Sequence, residues 1–159
     1  MGKKDSFVEM DDSDRHLLRL LQADATLSNA ALGEHLSMSV TPCWRRRKRL
    51  EDAGVITGYR ATLDRRKLGY DVMAFAQVRF GEHAGNEPDR FEQVILQRPE
   101  VLSCHKITGE ADYLLTVLAA DLESYGQFIE NVLRKQPGVA VIQSSLVLRE
   151  VKATAQVAV

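Results

Sequence analysis

The second half of the chain contains the same junction twice: a helical pattern ends, and a proline, one further residue and a valine lead into a strand pattern. The two prolines are Pro99 and Pro137. With the elements around them, the predicted order is β-α-β-β-α-β, which is typical of a ferredoxin-like domain. Two helices then cover one face of the sheet. We expect a second copy of the chain to bury the other face in a dimer.

Each element of this order has its own signal in the sequence. β-Branched and aromatic residues predict the first strand, and apolar residues at helical spacing predict a helix over residues 88–96. Gly109 begins the turn between the second and third strands, and Asp121 is the expected N-cap of the second helix. The four predicted strands cover residues 72–80, 102–108, 112–118 and 139 to about 151.

The first half of the chain has the pattern of three short helices. The first two are predicted over residues 12–23 and 28–36, followed by a turn at 37–40. Ser28 is the expected cap of the second helix. Thr41 is the expected N-cap of the third, with Pro42 at its first position, where the missing N–H costs nothing. Gly54 has the position of a C′ residue that ends this helix.

Five consecutive basic residues, Arg45 to Arg49, lie on the third predicted helix. On a helical wheel the outward face holds Trp44, Arg45, Lys48, Arg49 and Asp52. A short helix, a tight turn and a helix with a basic outer face form the helix-turn-helix layout, whose second helix enters the DNA major groove. A basic helical face is more often merely solvated. The cap, turn, proline and glycine in this order favour DNA binding.

Residues 56–63 alternate like a strand and predict a small wing beside the helices. The expected DNA contacts are Ser39, Thr41, Trp44, Arg45, Lys48, Arg49 and Arg60. Charge is distributed accordingly: residues 1–67 carry 13 Lys and Arg against 10 Asp and Glu, whereas residues 68–159 carry 8 against 12. The sequence therefore predicts an α+β protein with a winged helix-turn-helix domain over residues 1–66 and a ferredoxin-like domain over 67–159.

Several other classes of protein are not supported. No apolar run approaches the ~20 residues that cross a bilayer, and no secretory leader is evident, so we expect a soluble cytoplasmic protein with no membrane partner. Cys43 and Cys104 are too few for a disulfide framework or a four-ligand zinc site. The histidines are scattered, the Glu82-His83 pair falls in a predicted loop, and no catalytic motif is present. We expect neither an enzyme nor a bound cofactor or metal.

Two motifs in order give the chain its family resemblance. The first is T-P-C followed by the basic helix and R-L-E-x-x-G-x-I, and the second is T-G-x-x-D-Y-L-L, with Q-P-G-V before the last strand. Along nearly its whole length the sequence resembles the leucine-responsive regulatory protein family (Lrp/AsnC, the feast/famine regulators).

The resemblance implies a transcription regulator with a DNA-binding domain and a ligand-sensing and assembly domain. In such proteins dimers associate into octamers or similar rings that wrap DNA, and an amino acid binds between dimers. Carried over, Gly109 would offer backbone N–H groups to the ligand carboxylate, Asp112 would take its ammonium, and Thr108 would lie beside them. Ser144 and Ser145 are further candidates for the wall of this site, although an edge-facing polar pair is an equal alternative. Asp112 could also be a turn-capping carboxylate.

Arg47 departs from the family pattern, in which this position is usually aliphatic and packs the recognition helix onto the other two. Burying an unpaired guanidinium is costly, so Arg47 must extend outward or pair with an acid such as Asp14. We expect Arg47 to tilt outward and to contact a DNA phosphate.

Three candidate functions are compatible with parts of this pattern. The first is an amino-acid-responsive regulator that binds a pseudo-palindromic operator, with a small or apolar ligand favoured. The second is a metal- or redox-sensing regulator that uses Cys43, Cys104 and His105. The third is a small-molecule enzyme on the ferredoxin-like domain, which gives the basic helix no role. The residues favour the first.

Overall fold

A computed structural model describes residues 8–81, 85–152 and 156–159. These residues form two compact units: one contains the described residues up to Thr62 together with residues 156–159, and the other contains residues 63–81 and 85–152. The predicted division after residue 66 assigned residues 156–159 to the second domain, whereas the structure places them in the first unit. The loop predicted at Glu82 and His83 lies outside the described residues.

The first unit is built on three helices: α1 (Asp12–Ala23), α2 (Asn29–His35) and α3 (Val40–Asp52). Asp11 caps α1 in a capping box with Asp14, and Ser28 caps α2 as predicted. The three helices enclose a small apolar core of Leu17, Leu18, Leu21, Leu32, Cys43 and Leu50.

The turn between α2 and α3 is tight enough to require a glycine. A Cβ on Gly33 would lie 2.7 Å from the carbonyl oxygen of Met38, and the Met38 amide donates to the Gly33 carbonyl at 2.9 Å. α3 begins at Val40 with Ser39 as its N-cap, so the predicted cap at Thr41 is wrong. Pro42 is tolerated two positions further in because the first four N–H groups of a helix lack intrahelical partners.

The end of α3 follows the prediction, but the segment after it does not. Gly54 has φ +72°, the left-handed conformation of a C′ glycine. The predicted strand over residues 56–63 is wrong, because residues 57–64 have no regular structure. The Ile56 amide donates back to the Leu50 carbonyl at the end of α3. The segment is thus bonded to α3, and a strand would need a neighbouring strand with which to pair.

Residues near the C-terminus complete the first unit by binding α1. The Gln22 side chain makes two hydrogen bonds with the backbone of Val157, at 3.0 and 2.7 Å. Arg19 donates to the carbonyl oxygen of Val159 at 3.0 Å, and Val159 packs against the apolar core.

The second unit has the predicted element order. Its elements are β1 (Val72–Phe80), α4 (Glu87–Ile95), β2 (Val101–Lys106), β3 (Tyr113–Ala119), α5 (Leu122–Phe128, continued by a π-helical turn over Ile129–Leu133) and β4 (Val139–Leu146). The strands form one antiparallel sheet in the order β2-β3-β1-β4. This confirms the ferredoxin-like α+β arrangement, and Asp121 caps α5 as predicted.

Alternation along β1 separates the two faces of the sheet. Ala74, Ala76 and Val78 are fully buried in the core with residues of α4 and α5, while Phe75 is 40% exposed on the other face. β4 ends at Leu146, so the predicted extension to about residue 151 is wrong. Leu146 already pairs with Ala74 near the start of β1, so β4 soon has no neighbour with which to pair.

Among the described residues, no helix is both long and apolar enough to span a bilayer.

Candidate nucleic-acid interface and effector site

The exposed face of α3 carries the predicted DNA contacts. Three of these residues, Trp44, Arg45 and Lys48, follow Thr41 by three, four and seven positions. This spacing places all four side chains on one side of the helix. Trp44 is 50% exposed. All seven residues predicted to contact DNA are exposed in this unit: Ser39, Thr41, Trp44, Arg45, Lys48, Arg49 and Arg60.

Two arginines of the basic run bind carboxylates at the start of α1. Arg46 donates to Asp11 Oδ2 at 2.6 Å and to Asp14 Oδ1 at 2.9 Å. Arg49 donates to Asp14 Oδ2 and, at 3.4 Å, to the Glu9 carbonyl oxygen. Asp14 is only 1% exposed, so its charge is stabilised by these two guanidinium groups and by the Asp11 amide, which donates to Oδ2 at 3.1 Å, rather than by water. Arg49, predicted to contact DNA, is therefore held by its own domain.

Arg47 also has protein partners, but Asp14 is not among them. Its Nε donates to Glu51 Oε1 at 3.1 Å and to the Tyr59 hydroxyl at 3.0 Å, and its guanidinium lies 4.8 Å from the Tyr59 ring centroid. The suggested pairing of Arg47 with Asp14 is wrong, since Arg46 and Arg49 occupy that carboxylate. The hydrogen bond that Tyr59 donates to Glu51 lowers the pKa of the Glu51 carboxyl below its ordinary value.

The remaining two basic residues face solvent. Lys48 makes an exposed ion pair with Asp52 at 2.6 Å, a type of pair that contributes little to stability and exchanges readily. In the described part of the chain, Arg45 makes no ion pair or side-chain hydrogen bond. Arg45 is therefore the basic residue of the run most available to a polyanion, with Lys48 next.

The predicted effector residues of the turn after β2 lie together. Gly109 has φ +117°, and both Gly109 and Thr108 are exposed. Asp112 is part-buried: its Oδ2 accepts a hydrogen bond from the Phe80 amide at 2.7 Å, and its own amide donates to the Val78 carbonyl at 2.9 Å. The carboxylate thus fixes the turn to the end of β1, a contact across 32 residues rather than the local cap of the turn-capping alternative. Its Oδ1 accepts no hydrogen bond from the described residues.

The structure does not bring Ser144 and Ser145 to this turn within one chain. They pair with Ala76 and Phe75, whereas the Asp112 carboxylate binds Phe80. Ala76 and Phe80 are four residues apart along β1, so Ser144 and the Asp112 carboxylate are separated by roughly 13 Å along the strand. Ser144 and Ser145 also point to opposite faces of the sheet. Ser144 accepts a hydrogen bond from the Tyr125 hydroxyl at 2.6 Å on the helix-covered face.

Sequence reasoning missed the pairing of Asp14 with Arg46 and Arg49, and it missed the role of Tyr59. A signal for Asp14 was present, because residues 14, 17, 18 and 21 share one face of α1 and all four are buried. An acid on an apolar stripe indicates a buried charge with a partner. Tyr59 had no such signal, since its contact depends on how the irregular segment after α3 folds back.

The residues of the metal- or redox-sensing alternative are not brought together. Cys43 is fully buried in the first unit, and burial raises the pKa of its thiol. Cys104 belongs to the second unit and faces α4 and α5, while His105 points to the opposite sheet face. No cluster of three or more potential metal ligands occurs over residues 8–81, 85–152 and 156–159.

Two family models match the chain, one for each half. A model described as winged helix-turn-helix DNA-binding matches residues 10–57, and a model described as the Lrp/AsnC ligand binding domain matches residues 73–157. The matched ranges include α1 to α3 in the first case and the greater part of the ferredoxin-like sheet in the second.

The chain is also similar to known proteins over nearly their whole length. The chain is 40% identical to the DNA-binding transcriptional activator DecR of Escherichia coli over 91% of this chain and 95% of that protein. It is 37% identical to the leucine-responsive regulatory protein of Rhizobium meliloti, over 94% and 96%. Among solved structures, a transcriptional regulator from Neisseria meningitidis in complex with L-methionine is similar with a TM-score of 0.90 and 36% identity, over 94% and 96% of the two chains.

Proposed function

The chain belongs to the Lrp/AsnC family of DNA-binding transcriptional regulators, and we propose that it reads an operator with α3 and senses an amino acid with its second unit. The observation that carries the DNA-binding part is the outer face of α3. There Arg45 is solvent-exposed and makes no ion pair or side-chain hydrogen bond with the described residues, and it lies beside Lys48 and the half-exposed Trp44. A groove-binding helix needs this combination of free cationic donors and contact area.

The DNA-binding mechanism follows from symmetry. A dimer presents two copies of α3, and the two helices enter successive major grooves about 34 Å apart, so the operator is pseudo-palindromic. Arg45 and Lys48 contact bases and phosphates of the DNA. Ser39 and Thr41, at the start of α3, contact the DNA backbone, and Arg60 adds a phosphate contact.

The ligand of the second unit is an amino acid that binds between dimers near residues 108–112. Gly109 allows the backbone to approach a carboxylate closely. Asp112 Oδ1 accepts from the ligand ammonium, because Oδ2 is engaged by the Phe80 amide and a charge-assisted hydrogen bond suits an ammonium. The methionine complex of the relative from Neisseria meningitidis supports an amino acid as the class of ligand. Ser144 and Ser145, distant from this turn in one chain, could join the site only from another copy.

A homo-oligomer follows from the bare face of the sheet. Phe75 and Val141 are 40% and 42% exposed there, and a second copy that covers this face removes apolar surface from water. Dimers then assemble into an octamer or similar ring, in which several DNA-binding units act together and raise the affinity by multivalency. We assign this regulator to the cytoplasm and assign it no catalytic role.

Two experiments test the two halves of the proposal. Repeated selection from a random-sequence duplex pool should enrich a pseudo-palindromic DNA sequence. A thermal-shift panel of the twenty amino acids should show one or two that stabilise the protein by about 2.7 kcal/mol at 100 times their dissociation constant. A selection that enriches no sequence would contradict the DNA-binding role. A flat panel would contradict the amino-acid sensor and leave the DNA-binding role intact.

A further inference from the structure

The contact between α1 and α3 is made of charges as well as of the apolar core. Asp14 lies on the buried stripe of α1 and is 1% exposed. Both of its oxygens are occupied by guanidinium groups of α3, Oδ1 by Arg46 and Oδ2 by Arg49. Arg46 also reaches Asp11 at the N-cap of α1, so four side chains with two charges of each sign join the start of α1 to the recognition helix.

This arrangement constrains α3 in a way that leucine packing does not. Arg46 and Arg49 are three residues apart on α3, about one helical turn, so both guanidinium groups can bind the same carboxylate. A charge-assisted hydrogen bond depends on distance and angle. Two such bonds on one carboxylate therefore fix both the rotation of α3 about its axis and its displacement along that axis. Apolar contacts are less directional and tolerate small shifts.

We propose that Asp14 is a positioning residue for DNA recognition, which sets the rotation of α3 so that Arg45, Trp44 and Lys48 face the groove. Arg46 and Arg49 act through Asp14 and do not contact DNA, which differs from the expectation for Arg49 drawn from the sequence. The inference rests on the proposed DNA-binding function. Rotation of α3 by a fraction of a turn would move Arg45 away from base edges while the surface stayed cationic.

Loss of the Asp14 charge should therefore lower the sequence specificity of DNA binding without lowering the affinity for DNA in general. Asp14→Asn removes the anion and leaves the Arg49 guanidinium without its carboxylate partner, whereas Arg46 keeps its ion pair with Asp11. Binding to any duplex is governed by phosphate neutralisation and should stay the same or strengthen. Binding to the selected duplex depends on base contacts and should weaken. The ratio of the two affinities should fall about tenfold or more, the loss expected when one or two base contacts are misplaced.

The test compares Asp14→Asn with Asp12→Asn, which removes the same charge from an exposed position in the first turn of the same helix. The full-length protein is titrated with the selected duplex and with the same duplex in shuffled sequence, below its unfolding transition. Asp12→Asn should keep the affinity ratio within about twofold of the wild type, as surface substitutions usually do. A merely structural role for Asp14 would lower both affinities with the folded fraction and leave the ratio unchanged. An unchanged ratio overturns the inference.

A second pair of variants decides the matter even where Asp14→Asn does not fold. Arg45→Gln should lower the slope of log affinity against log salt concentration by about one unit, as expected for a lost phosphate contact. Arg49→Gln should leave this slope unchanged and still lower the affinity ratio. A slope that falls by about one unit in Arg49→Gln would mean that Arg49 contacts DNA and would overturn the inference. If the wild type itself shows no sequence preference, the proposed function fails, and the inference fails with it.

Discussion

The Phe80 amide donates a hydrogen bond to Asp112 Oδ2 at 2.7 Å. This bond joins the turn between β2 and β3 to the end of β1, so the residue expected to bind the ligand ammonium also holds its own turn in place. A substitution of Asp112 can therefore affect the protein in two ways, by loss of the charge and by loss of the acceptor. The two effects can be separated with two variants.

Asp112→Asn should abolish the stabilisation by an amino acid without unfolding the protein, because the amide oxygen can still accept from Phe80 while the negative charge is gone. Asp112→Ala should also cost about 1–3 kcal/mol of unfolding free energy, since it leaves the Phe80 amide without that acceptor. Thermal-shift measurements with and without the amino acid selected by the panel provide both values. A full ligand-induced shift in Asp112→Asn would show that the ammonium binds elsewhere.

Gly33→Ala should destabilise the helical unit by about 1–3 kcal/mol, the usual range for overpacking. The new Cβ would lie 2.7 Å from a backbone carbonyl oxygen, which cannot rotate away, and this strain outweighs the roughly 1 kcal/mol by which alanine favours a helix. Urea unfolding followed by circular dichroism measures the change. Gly126→Ala in α5 is the control, because its Cβ would contact none of the described atoms within 4 Å beyond its own helix backbone and chain neighbours. This variant should be neutral or stabilising. Equal stability of the two variants would contradict the packing argument.

Arg47→Leu should leave the salt dependence of DNA binding unchanged. The guanidinium is held by Glu51 and Tyr59 and its side chain is 22% exposed, so it is not free to neutralise a phosphate. Each of these hydrogen bonds contributes about 1 kcal/mol to stability, the usual net value for a hydrogen bond in a protein. The slope of log affinity against log salt concentration is the measurement, with Arg45→Leu as the comparison that should lose about one unit. A similar loss in Arg47→Leu would support a phosphate contact by Arg47.

The ionised Glu51 carboxylate stabilises the helical unit, so its protonation in acid should lower the stability of that unit. The Tyr59 hydrogen bond holds the pKa of the folded carboxyl below its ordinary 4.5. Its contribution to stability is therefore complete above pH 4.5 and is lost as the pH falls through the lower folded value. Glu51→Gln should flatten this part of the pH dependence, whereas Glu34→Gln, at an exposed position of α2, should not.

The urea midpoint, followed by the fluorescence of Trp44 between about pH 6 and pH 3, measures this effect. Trp44 is the single tryptophan of the sequence and lies in α3, so it reports on this unit directly. An acid limb of the same steepness in Glu51→Gln and the wild type would contradict the assigned role of Glu51.

Element order was predictable because its signals are local. The proline junctions at Pro99 and Pro137 mark where helices give way to strands, and caps such as Ser28 and Asp121 depend only on side chains bonding to nearby amides. The segment after α3 and the end of β4 were not predictable in this way. A strand exists only beside a neighbour, and its length is set by where that neighbour ends.

The composition of the basic face was only partly predictable. A helical wheel gives the direction of a side chain around the helix axis, and it placed Trp44 correctly on the exposed side. A helical wheel does not show which group of another helix lies opposite that side chain. The pairing of Arg46 and Arg49 with Asp14 depends on how α1 crosses α3, and the separation of Ser144 from Asp112 depends on strand register. Both are tertiary properties that no local pattern encodes.

The most direct test of DNA recognition by α3 is the affinity of Arg45→Ala/Lys48→Ala for the selected duplex. Loss of both contacts should weaken binding by about 100-fold or more and lower the salt slope by about two units, while light scattering shows the same oligomer as the wild type. Arg66→Ala/Lys67→Ala removes the same charge from exposed positions outside α3 and should retain wild-type affinity. Wild-type affinity in the α3 variant, or equal losses in both variants, would contradict the assignment of α3 as the recognition helix.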